Sequence, residues 1–527
     1  MSLTKRVARI GLLTAAAAAL MYWTNHHAEV TFADGLRYIR EAQQIDRGDL
    51  AGGLLRAVDH PAHPLAIVAA HRALIDRTGP YGGQGPYDWQ TAAQAASALA
   101  LVLTVLPLYL LARDLFDDEA TAVLGCALVF VNPITSYIGV NVLSETTFLL
   151  FWTWGLWAAV RFLREGRFYW LPPAIGFGAL AYLTRPEGLL LHLALVATLL
   201  LLPVHRVTRI YWPRWSAALA LLVVGPALLV GPYVALKGGL GTKPAVARVI
   251  GTMSDSPPAA LERERPLPAG QTAAQTYAIA VVRVARAFRG AVTWPLVPLA
   301  LVGLAVIRPG ADRVRLWIFL GVILAASAVG LVRLHATGGY LTVRHALVPG
   351  MVLTLAAANG IVWLMRNTVI DAARLRLGEG RFRPGPAVWM MIVGGLIVAP
   401  LWRGTTPYNS SFAPYRMVGE WISGAPQTDG RVLDLTDWCL FFGNRPGYGI
   451  GKVDEAAAQA RTRWVVLRDA HLNGHGHSSR VARDLIAGRG PVGRFPETPA
   501  PGQIQVIVYD LTTPPAETAA APGPTRR

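Results

Sequence analysis

"FADGLRYIREAQQIDRGD", residues 32–49, follows closely on the first apolar run of the chain, "RIGLLTAAAAALMYW" (9–23). Leu36, Ile39, Ala42 and Ile45 recur at three-residue steps, the pattern of a helix with one apolar face. Asp34 stands at its start and has two readings. Its carboxylate can cap the helix by accepting backbone N–H bonds from residues 36 and 37, or it can serve as the base of a site at the water-facing edge of a membrane. Choosing between them requires the topology of the rest of the chain.

The 527 residues are 53% hydrophobic and only 15% charged, too apolar for an ordinary soluble enzyme of this length. A polytopic membrane protein is the default reading. The formal charge of +17 does not point to nucleic acid, because the arginines fall in short clusters between apolar runs rather than in a basic, aromatic-lined groove. Cys126 lies in an apolar run and Cys439 in a distant polar region, which argues against a disulfide.

Spanning helices need about 20 mostly apolar residues. Candidate runs lie at 8–23, 91–112, 120–138, 145–163, 171–184, 188–203, 215–236, 290–307, 316–333, 345–365 and 387–402, about eleven spans. The first reads as a retained helix rather than a cleaved signal, since Tyr22 and Trp23 suit an interfacial anchor. The basic clusters "TKRVAR" (4–9), "RFLREGR" (161–167), "HRVTRIYWPR" (205–214), "RPGADRVR" (308–315) and "RNTVIDAARLRLGEGRFR" (366–383) then fall on one side, assigned to the cytoplasm. "RDLFDDE" (113–119) falls with them although it is not basic, so Asp117, Asp118 and Glu119 are excluded from an outward site.

Two large regions face the other way. The first outward loop, 24–90, carries the helix after Asp34 and a second one that Pro64 can begin, with Leu65, Val68 and Ile75 on its apolar face. From 403 to 510 the composition turns mixed polar, and "RVLDL", "RWVVLRD" and "IQVIVYDL" read as short strands alternating with helices near 414–423 and 478–488. The expected fold class is thus an all-α polytopic membrane domain (1–402) with a small C-terminal soluble α/β domain (403–510). A disordered tail is expected over 511–527.

The ionisable residues that need a reason collect on the outward side. Asp34, Asp59, His60 and His63 lie in the first loop, Glu145 opens the fourth span, Arg185 and Glu187 form the turn "LTRPEG", and Arg344 opens the tenth span beside His345. Charges beside membrane spans are costly unless paired or functional, so this clustering points to a site. Each has a bland alternative: Arg185 and Glu187 as a turn ion pair, Glu145 as a first-turn acid, Arg344 snorkelling, the histidines packing. Lys243 and Arg248 are weaker candidates in a long outward loop. His471, His475 and His477 in "HLNGHGH" lack cysteine partners and read as an exposed loop rather than a zinc site.

With Asp34 and Tyr38 after the first span, "DHPAHPL" (59–65), "NVLSETTF" (141–148), "YLTRPEGLLL" (182–191) and "YLTVRHALVP" (340–349), the chain resembles the GT-C glycosyltransferases that use polyprenyl-phosphate-linked sugars. The likeness is to family 39, the group of the protein mannosyltransferases and the lipid A aminoarabinose transferases. Members of that group often carry an Asp-Glu pair where this chain has Asp34-Gly35. The resemblance implies sugar transfer, with inversion, from a polyprenyl-phosphate-linked donor to a hydroxyl on a protein, lipid or glycan acceptor, at the extracytoplasmic face of a bacterial inner membrane. It implies Asp34 as base, Arg185 and Arg344 on the donor phosphate, and Tyr38, Asp59, His60, His63, Glu145 and Glu187 as orienting groups. No metal or other cofactor is indicated. Chemistry agrees with so sparse a set: a sugar already esterified to phosphate has a good leaving group, and transfer needs chiefly a base and cations. The rival readings are a transporter or flippase for a lipid-linked substrate, against which the halves of the chain show no repeat, and a noncatalytic envelope assembly protein.

Overall fold

The computed structural model describes all residues except 1–2, 76–81, 203–211, 241–271, 308–310, 368–369, 372–380, 383–385, 426–429, 460, 475, 501–502 and 514–527. Lys243, Arg248, His475 and all but the start of the expected tail lie outside the described residues. Each of the eleven apolar runs carries a helix. Among the described residues, seven helices are long and apolar enough to span a bilayer, or nine if each of two bent pairs counts as one span. The expected eleven is not reached because α8 (Leu171–Tyr182) and α9 (Leu189–Leu201) have only 12 and 13 residues.

The first helix, α1 (Leu3–His26), leads through a short extended segment into α2 (Ala33–Asp46) and α3 (Ala62–Leu74), the two amphipathic helices of the first loop. On α2 the three-residue periodicity holds, with Leu36, Ile39, Ala42 and Ile45 all buried. On α3 the buried face is Ile67, Val68 and His71, whereas Leu65 is exposed, so the expected face is rotated. These helices pack on α4 (Pro86–Phe116) and on Phe441 and Phe442 from the C-terminal region in one apolar cluster. The bundle continues through α5 (Glu119–Val131) and α6 (Pro133–Val140), which meet at a 54° bend, to α7 (Glu145–Glu165), α8, α9 and α10 (Trp212–Lys237).

Where helices Leu296–Ala305 and Leu347–Asn367 cross, backbone meets backbone. A Cβ on Gly303 would lie 1.8 Å from the Ala356 carbonyl oxygen, and one on Gly360 would lie 2.1 Å from that of Leu299. Small residues at such crossings let apolar helices approach closely where no hydrophobic force drives them together.

The bundle has two chemically distinct ends. At one, arginines from the segments assigned to the cytoplasmic side converge on the acidic turn 117–119. Arg6 pairs with Glu119 at 2.7 Å, Arg164 and Arg313 with Asp117 at 2.8 and 2.9 Å, and Arg366 with Asp118 at 2.9 Å. This accounts for the one non-basic loop in the alternation: its carboxylates serve the arginines of its neighbours.

Beyond the last apolar helix, Pro386–Gly404, lies a five-stranded mixed sheet with helices Ala413–Gly424 and His477–Ile486. Strand Arg431–Asp434 pairs in parallel with Gly447–Gly449 on one side and Thr462–Arg468 on the other. Val506–Asp510 pairs antiparallel with Thr462–Arg468 and with the edge strand Gly493–Phe495. The three long strands match the expected apolar runs. Cys126 and Cys439 are both buried and free.

Candidate active site

The segment before α2 is extended, and Phe32, not Asp34, occupies the N-cap position of α2, with no side-chain capping bond. Asp34 lies in the first turn, and both of its oxygens face arginines. Oδ2 is 2.7 Å from Arg344 Nη2 and Oδ1 is 3.5 Å from Arg37 Nη1. Three residues separate Asp34 from Arg37, so both project from one face of α2.

From this pair a line of alternating charge runs in both directions. Arg37 reaches the carboxylate of Asp59, which is fully buried. Arg344, at the head of its helix, also approaches Glu145 Oε1, at 3.8 Å, and Arg185 meets the same oxygen at 2.8 Å. Arg185 Nη2 ends the line on Glu187, at 2.8 Å. Burying Glu145 would be costly for an isolated carboxylate. Here it draws two guanidinium groups, one from the turn after α8 and one from the head of the helix at Val343–Asn367, toward one point, the arrangement that suits a phosphate.

Gly35 shows why this chain has no second acid beside Asp34. A Cβ there would lie 2.3 Å from Thr31 Oγ1 and 2.4 Å from the Asn141 carbonyl oxygen, so the first turn of α2 rests directly on the segment that leads to Glu145.

The remaining residues surround this line at different depths. The Tyr38 hydroxyl is 2.8 Å from Ser144 Oγ, which also receives the Arg185 guanidinium at 3.4 Å. His63 stands edge-on to the Tyr38 ring, with ring centroids 5.0 Å apart. Its Nε2 is 3.2 Å from the Val142 carbonyl and its Nδ1 is 2.9 Å from Thr147 Oγ1. A carbonyl only accepts, so Nε2 carries the proton and Nδ1 accepts from the threonine hydroxyl. Burial depresses this imidazole to about 4, which keeps it neutral at ordinary pH.

His60 points elsewhere. Its ring packs against those of Tyr182 and Tyr233, at 5.0 and 5.8 Å between centroids. Nearby, Lys237 at the end of α10 donates to the Asp59 carbonyl at 2.7 Å. Among the described residues no group of three or more His, Cys, Asp or Glu converges as a metal site. In the C-terminal region His477 pairs with Asp454 at 2.8 Å, and His471 Nδ1 faces the Arg468 amide at 3.4 Å.

The electrostatics favour an ionised Asp34. Burial opposes its charge, but Arg344 and Arg37 outweigh that penalty and hold the carboxyl below its ordinary value. For Arg37, burial likewise disfavours the charged form, and Asp59 and Asp34 more than compensate.

The structure thus brings Asp34, Asp59, Glu145, Arg185, Glu187 and Arg344 into one line, with Tyr38 and His63 against it, and sets His60 in an aromatic pocket behind Asp59. Sequence reasoning missed Arg37, Ser144 and Lys237. Arg37 was signalled by its spacing: an arginine one turn beyond an acid, on the same helix face. Lys237 carried no local signal, since only the return of α10 to this end of the bundle brings it to Asp59.

Comparison with known proteins agrees with this architecture. The dolichyl-phosphate-mannose-protein mannosyltransferase family matches residues 88–229. No curated protein sequence matches the chain. Among solved structures, ArnT from Cupriavidus metallidurans bound to undecaprenyl phosphate has a TM-score of 0.57 at 15% identity, over 99% of this chain and all of that one. The Archaeoglobus fulgidus oligosaccharyltransferase in its apo form has a TM-score of 0.56 at 12% identity, over 93% of this chain and 74% of that one. AglB from the same organism, in complex with an inhibitory peptide and a dolichol-phosphate, has a TM-score of 0.55 at 12% identity, over 99% and 76%. The chain is an integral membrane protein with the GT-C fold of the membrane glycosyltransferases, and its sequence resembles the dolichyl-phosphate-mannose-protein mannosyltransferases.

Proposed function

We propose that the protein transfers a sugar from a polyprenyl-phosphate-linked donor to a hydroxyl acceptor, with inversion at the anomeric carbon. The observation that carries this reading is the pairing of Asp34 with Arg344, whose guanidinium also approaches the Glu145 carboxylate shared with Arg185. One ionised carboxylate stands beside two cations gathered at a point, which is what displacement from a phosphate ester requires.

In this reading Asp34 removes the acceptor hydroxyl proton, and the oxygen forms its bond to the anomeric carbon. The bond from that carbon to the phosphate oxygen breaks, and polyprenyl phosphate leaves with its charge on Arg185 and Arg344. Glu145 and Glu187 orient the arginines, Asp59 holds Arg37, and Tyr38, His60 and His63 shape the surrounding wall. Residues 1–402 form the catalytic membrane domain and 403–510 an extracytoplasmic domain. The positive charge near the opposite end of the bundle supports an active site on the extracytoplasmic face of a bacterial inner membrane.

The test is sugar transfer from lipid carrier in membranes containing Asp34→Asn. Loss of turnover by about 10²- to 10⁴-fold is expected for removal of a general base, while Asp118→Asn at the opposite end retains it. Normal turnover by a folded Asp34→Asn protein would remove Asp34 as the base. Movement of substrate across the membrane with no transferred product would indicate a transporter.

A further inference from the structure

The extended segment before α2 is held from the C-terminal side of the chain. Asn409 Nδ2 donates to the Val30 carbonyl at 2.7 Å and to Asn141 Oδ1 at 2.6 Å. One amide therefore ties the approach to Asp34 to the approach to Glu145, which are distant in sequence and adjacent in the site. Asn409 adopts a left-handed conformation, φ 59°, which asparagine tolerates better than most residues. Beside it the Trp438 indole N–H donates to the Thr31 carbonyl at 2.8 Å, and its ring stacks on Tyr415 at 4.9 Å with 6° between planes. Further along α2, Arg40 Nη2 donates to the Asp437 carbonyl at 2.9 Å.

These anchors bracket Asp34, at residues 30 and 31 before it and at residue 40 after it. Trp438 is itself fixed, because Asp434 at the end of its strand accepts from the Thr436 and Leu440 amides at 2.7 and 2.9 Å and so locks the turn around it. In an open α/β sheet, the carboxyl ends of parallel strands at a change of strand order are where ligands usually bind. Here that edge carries Asp437 and Trp438, and the first loop of the membrane bundle is seated against it.

We propose that Asn409 and Trp438 are positioning residues, and that the chain beyond the last apolar helix is a brace that holds Asp34 in line with Arg344 and Glu145. The proposal rests on the sugar-transfer reading for its effect on turnover, but not for its effect on α2. A site of this kind tolerates only about 0.5 Å of displacement, and the approaches to both acids, at Val30, Thr31 and Asn141, accept bonds from the chain beyond the last apolar helix.

The test uses the full-length protein in lipid nanodiscs with Asn409→Asp, Trp438→Phe and the double variant. Aspartate keeps the size and the left-handed tolerance of asparagine but offers no donor to Val30 or Asn141. Phenylalanine keeps the stack on Tyr415 and loses the N–H. Three readouts are taken: amide hydrogen exchange over 33–46, with 86–116 as internal reference; turnover at saturating donor, using a panel of undecaprenyl-phosphate-linked sugars; and binding of undecaprenyl phosphate. We expect exchange over 33–46 in the double variant to rise about tenfold as the helix opens locally more often. Turnover should fall about 100-fold, the effect of a misplaced catalytic group, with undecaprenyl phosphate affinity and exchange over 86–116 unchanged.

Wild-type exchange over 33–46 in the double variant would overturn the proposal. So would raised exchange with intact turnover, and so would a loss of turnover matched by loss of undecaprenyl phosphate binding. If the wild-type protein transfers no sugar from any donor in the panel, the sugar-transfer reading fails, and the exchange measurement alone decides the brace.

Discussion

Arg344 Nη2 stands 2.7 Å from Asp34 Oδ2, so the strongest partner of the proposed base is also a proposed ligand of the phosphate. In the sugar-transfer reading the two roles compete for one guanidinium. Without donor, Arg344 stabilises the ionised carboxylate and weakens it as a base; a phosphate that draws the guanidinium away restores basicity when the acceptor must be deprotonated. In the sugar-transfer reading, Arg344→Gln loses both donor affinity and turnover. Arg344→Lys keeps a point charge but not the planar fork, and should fall between the two. Donor titrations with each variant measure this.

The neighbouring pair sets a pH prediction. Arg37 holds Asp34 down, whereas Asp59 pushes it up, and the arginine has the larger influence. In the double variant Arg37→Gln/Asp59→Asn, Asp34 moves toward its ordinary value. Its ionised form, present above the folded pKa and lost as pH falls through it, is then lost at higher pH. The acid limb of kcat/KM, which reports the free enzyme, should shift upward relative to wild type. Arg37→Gln alone leaves the buried Asp59 carboxylate without that partner and should cost about 3 kcal/mol of stability, much of which the second substitution restores. Thermal unfolding of the two variants separates these effects.

Gly35 and Gly360 report on close approach in two places. Gly35→Ala puts a methyl group 2.4 Å from the Asn141 carbonyl oxygen, and α2 must shift at a cost of about 1–3 kcal/mol. The shift falls on the helix that carries Asp34, so turnover should drop more than melting temperature does. Gly360→Ala meets the Leu299 carbonyl oxygen at 2.1 Å at the far side of the bundle and should do the reverse. Unfolding and turnover measured on both variants show whether the two effects divide in this way.

Asp434 carries a pH dependence of opposite sign to Asp34. Burial pushes its carboxyl up to about 6, despite the hydrogen bonds it accepts from Thr436 and Leu440. A raised acid contributes stability that is present below its unfolded pKa of about 3.9 and is lost as pH rises through about 6. Melting of the C-terminal region, followed by tryptophan fluorescence, should therefore lose stability across that window. Asp434→Asn, which cannot ionise, should remove this part of the dependence.

Much of the membrane part was legible because bilayer thickness imposes one simple rule, about 20 apolar residues per span. The rule fails at α8 and α9, whose runs look like their neighbours in composition but are parted by the single turn Arg185-Pro186-Glu187-Gly188. Asp34, Glu145, Arg185 and Arg344 stood out because a charge at the end of an apolar run needs a reason. Their pairing did not, because it depends on how four distant segments converge. His60 and His63 illustrate the limit: three residues apart, they face different surroundings because His63 lies within α3 and His60 precedes it. Asn409 carried no local signal, since nothing in its neighbourhood distinguishes a hub from a loop.

The α8–α9 hairpin has a mechanical consequence. Helices of 12 and 13 residues reach only about 20 Å, well short of a hydrocarbon core near 30 Å. The crest of the hairpin, with Arg185 and Glu187, is nevertheless held level with the head of α7, where Arg185 meets Glu145 at 2.8 Å. In the sugar-transfer reading, the short hairpin therefore presents its guanidinium at the rim of the bundle, where the headgroup of an isoprenoid carrier travels along the leaflet.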